Sequence, residues 1–166
     1  MQLYVIRHAI AADRDVAKWP DDADRPLTRR GKERFRRAAK GLSRVIEPAS
    51  VVLSSPYVRA WDTALILNQE AGWPDPFQCP ELTADDPTSL LAAINAFDEA
   101  GSVAIVGHEP YLSRFVATLL SPGWGPWLEF KKGGVAVLDR IEGSDPVRYE
   151  LVSLLSPKVL RSLAKG

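Results

Sequence analysis

Three short apolar runs, rich in β-branched residues, constrain the fold of this chain more than any other feature of its sequence. They lie at residues 3–6 (LYVI), 51–54 (VVLS) and 103–107 (VAIVG). A strand that is apolar on both faces is typical of the middle of a parallel sheet, where helices cover both sides. Segments with helical periodicity separate the three runs. The alternation therefore predicts an α/β fold with helices on both faces of one sheet.

Capping residues mark the predicted helix boundaries. Thr28 and Asp86, the latter followed by Pro87, are predicted N-caps, and Gly72 closes the helix that follows the second apolar run. A further helix precedes the Pro- and Gly-rich segment at residues 122–126, which we predict to be a loop.

The C-terminal part of the chain predicts two paired strands and a short helix. Residues 134–140 (GVAVLDR) and 149–155 (YELVSLL) have the composition of strands. The short link at residues 142–145 favours antiparallel pairing between them. Pro157 then starts a terminal helix.

Size and charge restrict the classes of function that the chain can serve. A chain of 166 residues with 46% hydrophobic residues can bury one good core, so we predict a single domain over residues 1–166. Its 21 Lys and Arg residues balance its 21 Asp and Glu residues, which argues against nucleic acid as a partner. We expect a monomer in which any anion is recognised by a local site.

The sequence carries no signal for export, membrane insertion or metal binding. The N-terminus reaches Arg7 too soon for a signal peptide, and no apolar stretch approaches membrane-spanning length. We therefore expect a cytoplasmic protein with no membrane partner. The one cysteine, Cys79, has neither a disulfide partner nor metal-ligand neighbours at useful spacing, so we predict no metal site.

The only two histidines of the chain lie just past the ends of two predicted buried strands. His8 follows the first apolar run and His108 follows the third. Ligands of open α/β sheets bind at the carboxyl ends of the strands, so both histidines are predicted to face one crevice. An ordinary loop position would explain either histidine alone equally well, but it explains the coincidence of both poorly.

Two arginines share this placement. Arg7 immediately precedes His8, and Arg59 lies early in the helix that follows the second apolar run. Guanidinium groups bind phosphate oxygens in bidentate geometry, and helix N-termini offer free backbone donors to the same oxygens. Most arginines are surface residues, but the position of these two beside the histidines favours a phosphate site.

Four ordered segments resemble the histidine phosphatase superfamily: RHA at 7–9, RPLTRRG at 25–31, SSPYVRAWDTA at 54–64 and VGHEP at 106–110. The short length, the RPLT segment and the VGHEP block are most similar to the compact, SixA-type phosphohistidine phosphatases of that superfamily. The resemblance implies a three-layer α/β/α sandwich of the phosphoglycerate mutase-like kind. It also implies a six-stranded, mostly parallel sheet with one antiparallel strand, and no metal or organic cofactor.

The resemblance assigns roles to Arg7, His8, Arg59 and His108. It implies that His8 becomes phosphorylated, that the two arginines clamp the transferring phosphoryl group and that His108 donates a hydrogen bond to it. Such a set can stabilise phosphoryl transfer without a metal ion. Because His8 must attack through an unprotonated nitrogen, a backbone carbonyl or a carboxylate should hold its other nitrogen. Water then attacks phospho-His8 in a second step.

Two positions depart from the usual pattern of the superfamily or have no certain counterpart in it. Ala9 stands where many members carry glycine, and a turn with ordinary backbone angles can accept this alanine.

We take Glu81, which follows a short predicted strand, as the counterpart of the general acid that protonates an alkoxide leaving group in larger relatives. Asp85 and Asp86 compete for this role, although Asp86 is also a helix cap. A phosphohistidine substrate tolerates a weak acid, because its leaving group is an imidazole.

Three hypotheses about the partner remain open at this level. The first is a phosphorylated protein, such as a phosphohistidine carrier; the second is a small phosphate ester; the third is a phosphate-binding or scaffolding module without turnover. From residue 25 to residue 44 there are nine basic residues and one acidic residue. Such a run is usually a solvated helix face, but it can also steer an acidic phosphoprotein. Arg25 and Thr28, at its start, are predicted to lie near the pocket.

Overall fold

The computed structural model describes residues 1–121, 123, 128–145 and 147–165. The predicted loop at residues 122–126 therefore lies outside the described residues, apart from Gly123, and so do two of the five tryptophans, Trp124 and Trp127. No helix within the described ranges is both long and apolar enough to cross a membrane.

Six strands form one mixed sheet. They are β1 (Gln2–Arg7), β2 (Val51–Ser54), β3 (Phe77–Gln78), β4 (Ser102–Gly107), β5 (Val135–Ile141) and β6 (Arg148–Leu155). Their order is β3-β2-β4-β1-β5-β6. Strand β5 is antiparallel to both of its neighbours, and the other pairings are parallel. The predicted sheet with one antiparallel strand is confirmed.

Five α-helices connect or follow these strands. They are α1 (Arg29–Leu42), α2 (Val58–Ala71), α3 (Pro87–Asn95), α4 (Tyr111–Leu120) and α5 (Pro157–Leu163). Three single turns of 3₁₀ helix lie at Asp22–Asp24, Pro80–Thr83 and Asp98–Ala100.

The helices cover both faces of the sheet because the side chains of the central strands alternate between them. Tyr4 and Ile6 point into a core with the buried faces of α1, α2 and α5. Leu3 and Val5 point into a second core with α3 and α4. The three-layer α/β/α sandwich is therefore confirmed.

The predicted caps lie where the sequence indicates them. The Thr28 hydroxyl accepts a hydrogen bond from the Gly31 amide at 2.8 Å, and Asp86 caps α3 through the Thr88 amide. Gly72 ends α2 in the left-handed region at φ 71°. Helix α1 ends at Leu42, because the amide of Arg44 bonds three rather than four residues back and the chain tightens into a turn.

Helix α1 makes two close backbone contacts that glycine permits. A Cβ atom at Gly41 would lie 1.8 Å from the Leu160 carbonyl oxygen of α5, and one at Gly31 would lie 2.0 Å from the Ile10 carbonyl oxygen. The first contact sets the separation of α1 and α5. The second places the start of α1 against the loop that follows β1, next to His8.

Candidate active site

The parallel pairing of β1 and β4 brings the two histidines together. Arg7 is in register with Gly107, so His8 and His108 leave neighbouring strands at the same edge of the sheet. Their ring centroids lie 5.1 Å apart. Both residues follow the carboxyl end of a strand, which is the edge where α/β proteins bind ligands.

His8 is held by the backbone. Its Nδ1 lies 2.6 Å from the carbonyl oxygen of Ala9, and because a carbonyl only accepts, Nδ1 carries the proton of the neutral ring. Burial lowers the pKa of His8 to about 3, assisted by the charges of Arg59 and Arg7. At neutral pH the ring is therefore uncharged, and its Nε2 has a free lone pair.

His108 is held by a side chain from the next strand. Its Nε2 lies 2.7 Å from the Oγ of Ser55, which directly follows β2. The ring of Tyr57 packs against the imidazole with a centroid distance of 5.0 Å. Burial, followed by the charges of His8 and Arg59, lowers the pKa of His108 to about 2. Both histidines of the pair are thus neutral in the free protein.

Arg59 lies in the first turn of α2 and is almost fully buried, with 4% of its surface exposed. Its Nη1 donates to the backbone carbonyl of Asp22 at 2.6 Å, and its Nη2 lies 2.9 Å from the Asp22 carboxylate. The ring of Tyr57 stacks against the guanidinium, with 4.9 Å between Cζ and the ring centroid. The loop before α1 therefore contributes a carboxylate to the site.

Asp22 also bridges Arg59 to a second buried arginine. The Nε of Arg25 donates to the Asp22 carboxylate at 2.8 Å, and its Nη1 donates to the carbonyl of Ala12 at 2.8 Å. Burial tends to raise the pKa of Asp22, but the Arg25 hydrogen bond and the charges of the nearby arginines lower it overall. The carboxylate is therefore ionised at neutral pH.

Arg7 is anchored from the far side of the site. Its Nη1 donates to the carbonyl of Phe130, a residue that precedes β5. Glu109 holds that segment in place, because its carboxylate accepts a hydrogen bond from the Phe130 amide at 2.8 Å. The guanidinium is thus fixed between the end of β1 and the segment before β5.

Three buried nitrogen atoms of this cluster have no hydrogen-bond partner among the described residues. They are the Nε of Arg7, the Nε of Arg59 and the Nδ1 of His108. Buried donors without a partner are costly, by about 1–3 kcal/mol each. Three of them, on residues that neighbour His8, fit an oxyanion with several acceptor oxygens.

Sequence and structure comparisons agree with this chemistry. The model of the histidine phosphatase superfamily (branch 1) matches residues 3–83, which include Arg7, His8 and Arg59. An uncharacterized protein of Picosynechococcus is 35% identical over 170 residues, which cover 96% of this chain and 99% of that protein. The structure of the protein histidine phosphatase SixA complexed with tungstate superposes with a TM-score of 0.81 at 28% identity, covering 96% of this chain and 99% of that one. The chain belongs to the histidine phosphatase superfamily.

Two further solved structures share this fold. A SixA-type protein of Agrobacterium tumefaciens has a TM-score of 0.76 at 26% identity and covers 94% of this chain and 97% of its own. An Escherichia coli protein described as an α-ribazole-5′-phosphate phosphatase has a TM-score of 0.73 at 20% identity, over 95% and 97% of the two chains, which shows a shared fold alone. The chain is a phosphatase with the phosphoglycerate mutase-like fold.

The departure of this histidine phosphatase at position 9 is accommodated without strain. Ala9 is not among the described non-glycine residues with positive φ, so an alanine costs nothing in backbone energy there. Its amide donates to the hydroxyl of Thr63 at 3.0 Å, and that hydroxyl donates to the carbonyl of Arg59. Position 9 therefore also ties the loop after β1 to α2.

Glu81 lies in the 3₁₀ turn after β3. Its carboxylate accepts a hydrogen bond from the Cys79 thiol at 3.2 Å, and burial, together with that contact, raises the pKa of Cys79 to about 12. No described hydrogen bond joins Glu81 to His8 or His108. The two competing carboxylates have structural partners: Asp85 pairs with Arg114 at 2.7 Å, and Asp86 caps α3.

Sequence reasoning missed three residues that contact the candidate site of this histidine phosphatase. Asp22 is one of several acidic residues in a non-periodic loop, and Ser55 and Tyr57 lie within the SSPYVRAWDTA segment without a residue type that indicates catalysis. Of the two residues predicted near the pocket, Arg25 joins the site through Asp22. Thr28 caps α1, and its hydroxyl lies 3.3 Å from the Ile10 carbonyl.

Proposed function

We propose that this phosphatase removes phosphate from phosphohistidine on a protein, through a phosphorylated His8. The observation that carries the proposal is the neutral His8, with its Nε2 free, beside three unpaired buried donor atoms. The first feature supplies a nucleophile, and the second supplies charge and hydrogen bonds where phosphoryl oxygens would lie.

In the first step, the Nε2 lone pair of His8 attacks phosphorus, and the bond from phosphorus to the substrate's imidazole nitrogen breaks. The electron pair of that bond stays on the leaving imidazole, which takes a proton from solvent or from a weak donor. The guanidinium groups of Arg7 and Arg59 neutralise charge on the equatorial oxygens. The Ala9 carbonyl stabilises the positive ring that forms, because Nδ1 keeps its proton throughout.

In the second step, water attacks the phosphorus of phospho-His8 from the face that the leaving group vacated. The bond from Nε2 to phosphorus breaks, and its electron pair returns to the ring. Inorganic phosphate leaves with the oxygen and one proton of the water, and the other proton goes to solvent. His8 is then restored in its starting tautomer, with Nδ1–H still donating to the Ala9 carbonyl.

His108 acts as a neutral hydrogen-bond donor in this scheme. The Ser55 hydroxyl accepts a hydrogen bond from the Tyr57 amide at 3.3 Å, so its own proton is available to His108 Nε2. A donor at Nε2 leaves the proton of the neutral ring on Nδ1, which is the atom without a partner among the described residues. Nδ1–H would then donate to a phosphoryl oxygen.

A protein substrate is supported by two observations. The SixA structures have higher sequence identity to this chain than the α-ribazole-5′-phosphate phosphatase, at 28% and 26% against 20%. In addition, Asp22, the carboxyl group that the described contacts join to Arg59, is ionised at neutral pH and is therefore a poor proton donor, which an imidazole leaving group tolerates better than an alkoxide.

A small phosphate ester is the second candidate substrate. A cavity of about 290 Å³ opens beside Arg7, which is large enough for a modest metabolite. The side-by-side comparison described next separates the two candidates, because a metabolite phosphatase would favour the ester.

The decisive experiment compares phosphate release from a phosphohistidine-bearing carrier protein with release from p-nitrophenyl phosphate. It uses wild type, His8→Ala and, as a control buried near the site, Ser54→Ala, whose hydroxyl has the Ser55 carbonyl as its one hydrogen-bond partner among the described residues. We expect rapid, His8-dependent turnover of the phosphoprotein and a base-stable, acid-labile phosphoenzyme in wild type and Ser54→Ala. Efficient ester hydrolysis with no phosphoprotein turnover would contradict the proposal.

A further inference from the structure

A groove between α1 and α5 concentrates positive charge next to the active site. The 290 Å³ cavity beside Arg7 has an apolar floor that includes Phe35 and Pro157. It meets a second depression of about 570 Å³ between the two helices, and Arg161 lines both.

We call this surface the basic groove. Two of the basic side chains that line it have carboxylate partners, Lys40 with Glu70 and Lys131 with Glu129. Apart from Arg7 of the active site, the groove cations are the other six: Arg34, Arg37, Lys132, Lys158, Arg161 and Lys165.

The charges of the six groove cations are not neutralised by the protein. Three other basic residues of α1 have carboxylate partners on α2: Lys32 pairs with Asp62, and both Arg36 and Lys40 pair with Glu70. Within the described part of the chain, no carboxylate lies within 4.0 Å of the six groove cations.

Arg161, which lines both depressions of the basic groove, is affected by the positive charges of its neighbours. Burial, and then the charges of Arg34 and Arg37, lower the pKa of Arg161. The chain as a whole has a net charge of zero, so this segregation of positive charge is local. A cluster that repels itself is stabilised when an anion binds to it.

The groove is built on rigid elements. Gly41 lets α1 approach the Leu160 carbonyl of α5, and Leu160 is fully buried. Four of the six groove cations lie at helical spacing along these two helices, Arg34 and Arg37 on α1 and Lys158 and Arg161 on α5. A ligand would therefore meet a preformed row of charges rather than order a loop.

The groove also adjoins the catalytic site. Arg7 and Ala9, the two neighbours of His8 in the chain, line the 290 Å³ cavity, and the positive charge of Lys132 contributes to lowering the pKa of His8. A ligand that fills both sites must carry a phosphoryl group and, beside it, a series of negative charges.

We propose that the basic groove docks an acidic surface of the substrate protein beside its phosphohistidine. This inference rests on the proposed function and adds the chemistry of the partner. An acidic protein surface fits better than nucleic acid, because binding of single strands relies on exposed aromatic side chains, and Phe35, the aromatic residue of the cavity, is 3% exposed. The charges would act mainly by raising the rate of association.

The test uses two synthetic phosphohistidine peptides of equal length, one flanked by glutamates and the other by glutamines. It compares kcat/KM for wild type, for Arg37→Glu/Lys158→Glu in the groove, and for Lys18→Glu/Arg148→Glu. The last variant has the same net charge but alters exposed residues outside the groove, one of them at the N-terminal end of β6. Turnover of p-nitrophenyl phosphate reports whether the catalytic site is intact in each protein.

We expect wild type to prefer the glutamate peptide by about tenfold at low ionic strength, with a smaller preference at high salt. The groove variant should lose that preference, the control variant should keep it, and all three should hydrolyse p-nitrophenyl phosphate alike. These results together would support docking in the groove.

The other outcomes overturn the inference in distinguishable ways. If wild type hydrolyses both peptides equally, or if the groove variant keeps the preference, the proposed function stands and the docking surface is wrong. If wild type hydrolyses the ester but neither peptide, the proposed function fails and the docking inference fails with it. Equal peptide rates, together with groove-dependent binding of single-stranded DNA, would assign the groove to nucleic acid instead.

Discussion

Arg59 and Asp22 are joined twice, once through the backbone carbonyl of Asp22 and once through its carboxylate, at 2.6 and 2.9 Å. The carboxylate is an anion on a guanidinium that the superfamily resemblance assigns to phosphate. An arriving phosphoryl group must share Arg59 with Asp22 or displace it. The loop before α1 thereby influences how strongly the site holds phosphate.

Replacing Asp22 by asparagine should strengthen inhibition by inorganic phosphate. The change keeps the shape of the side chain and removes a negative charge, so we expect the inhibition constant to fall about fivefold, which corresponds to roughly 1 kcal/mol of removed repulsion. Asp24→Asn is the matched control, because Asp24 lies in the same turn but is exposed and has no ion pair among those described. An equal effect in both variants would show that the local field, not the Arg59 contact, is responsible.

Removing the Ser55 hydroxyl should slow catalysis by affecting the tautomer of His108. Ser55→Ala leaves His108 Nε2 without its partner at 2.7 Å, so the ring proton is no longer confined to Nδ1. We expect kcat to fall about tenfold, with little change in KM, as for a hydrogen bond worth about 1.4 kcal/mol in the transition state. Ser54→Ala, one residue earlier and equally buried, should retain normal rates. A change in KM alone would argue against this positioning role.

The two neutral histidines should make the protein less stable in acid. Burial lowers the pKa of His8 to about 3 and that of His108 to about 2, whereas the unfolded chain binds these protons near pH 6.5. Their contribution is complete above pH 6.5 and is lost progressively as the pH falls towards the folded-state values. Between pH 7 and pH 5 each histidine should cost about 2 kcal/mol of unfolding free energy.

Urea denaturation at the two pH values measures this effect. In His8→Asn, the loss of stability on acidification should be smaller by about that amount. An unchanged difference between pH 7 and pH 5 would mean that His8 is protonated in the folded protein.

Glu81→Gln should separate substrates by their leaving groups. A general acid matters for an alkoxide and little for an imidazole or a nitrophenolate, so the variant should slow hydrolysis of β-glycerophosphate by about 10²-fold and spare phosphohistidine. Cys79→Ser is the control, because it alters the thiol that donates to Glu81 without removing the carboxylate. Equal losses on all substrates would contradict the predicted role of Glu81.

The close contact of α1 with α5 should make Gly41 intolerant of any side chain. A Cβ atom would lie 1.8 Å from the Leu160 carbonyl oxygen, so Gly41→Ala must separate the helices, and we expect a loss of about 3 kcal/mol. Gly72→Ala meets no atom within 4 Å and changes only the left-handed cap, which should cost about 1 kcal/mol. Thermal melts of both variants provide the comparison, and similar losses would mean that the helices separate easily.

Local rules explain why much of the fold could be predicted from the sequence. Thr28, Gly72 and Asp86 each cap a helix through contacts within one turn of their own position. The apolar runs of β1 and β4 require only that these strands lie in a buried sheet. The positions of His8 and His108 then follow from the general placement of sites at strand ends.

The remaining features depend on contacts between distant parts of the chain. Asp22 reaches Arg59 across 37 residues, and Ser55 reaches His108 across 53. Asp22 has neighbours of the same charge in a loop without periodicity, so nothing in the sequence distinguishes it from them. Some basic residues between residues 25 and 44 pair with a carboxylate and others do not. Which of them do so depends in the same way on where α2 and α5 lie relative to α1.

The hydrogen bond from His8 Nδ1 to the carbonyl of Ala9 has a consequence for inheritance. The group that fixes the reactive nitrogen is main chain and belongs to the next residue, so every amino acid at position 9 supplies it. No point mutation can delete this acceptor, and no column of a sequence alignment can display it. The tautomer of His8 is therefore set by the path of the main chain, and selection on the side chain at position 9 does not act on it.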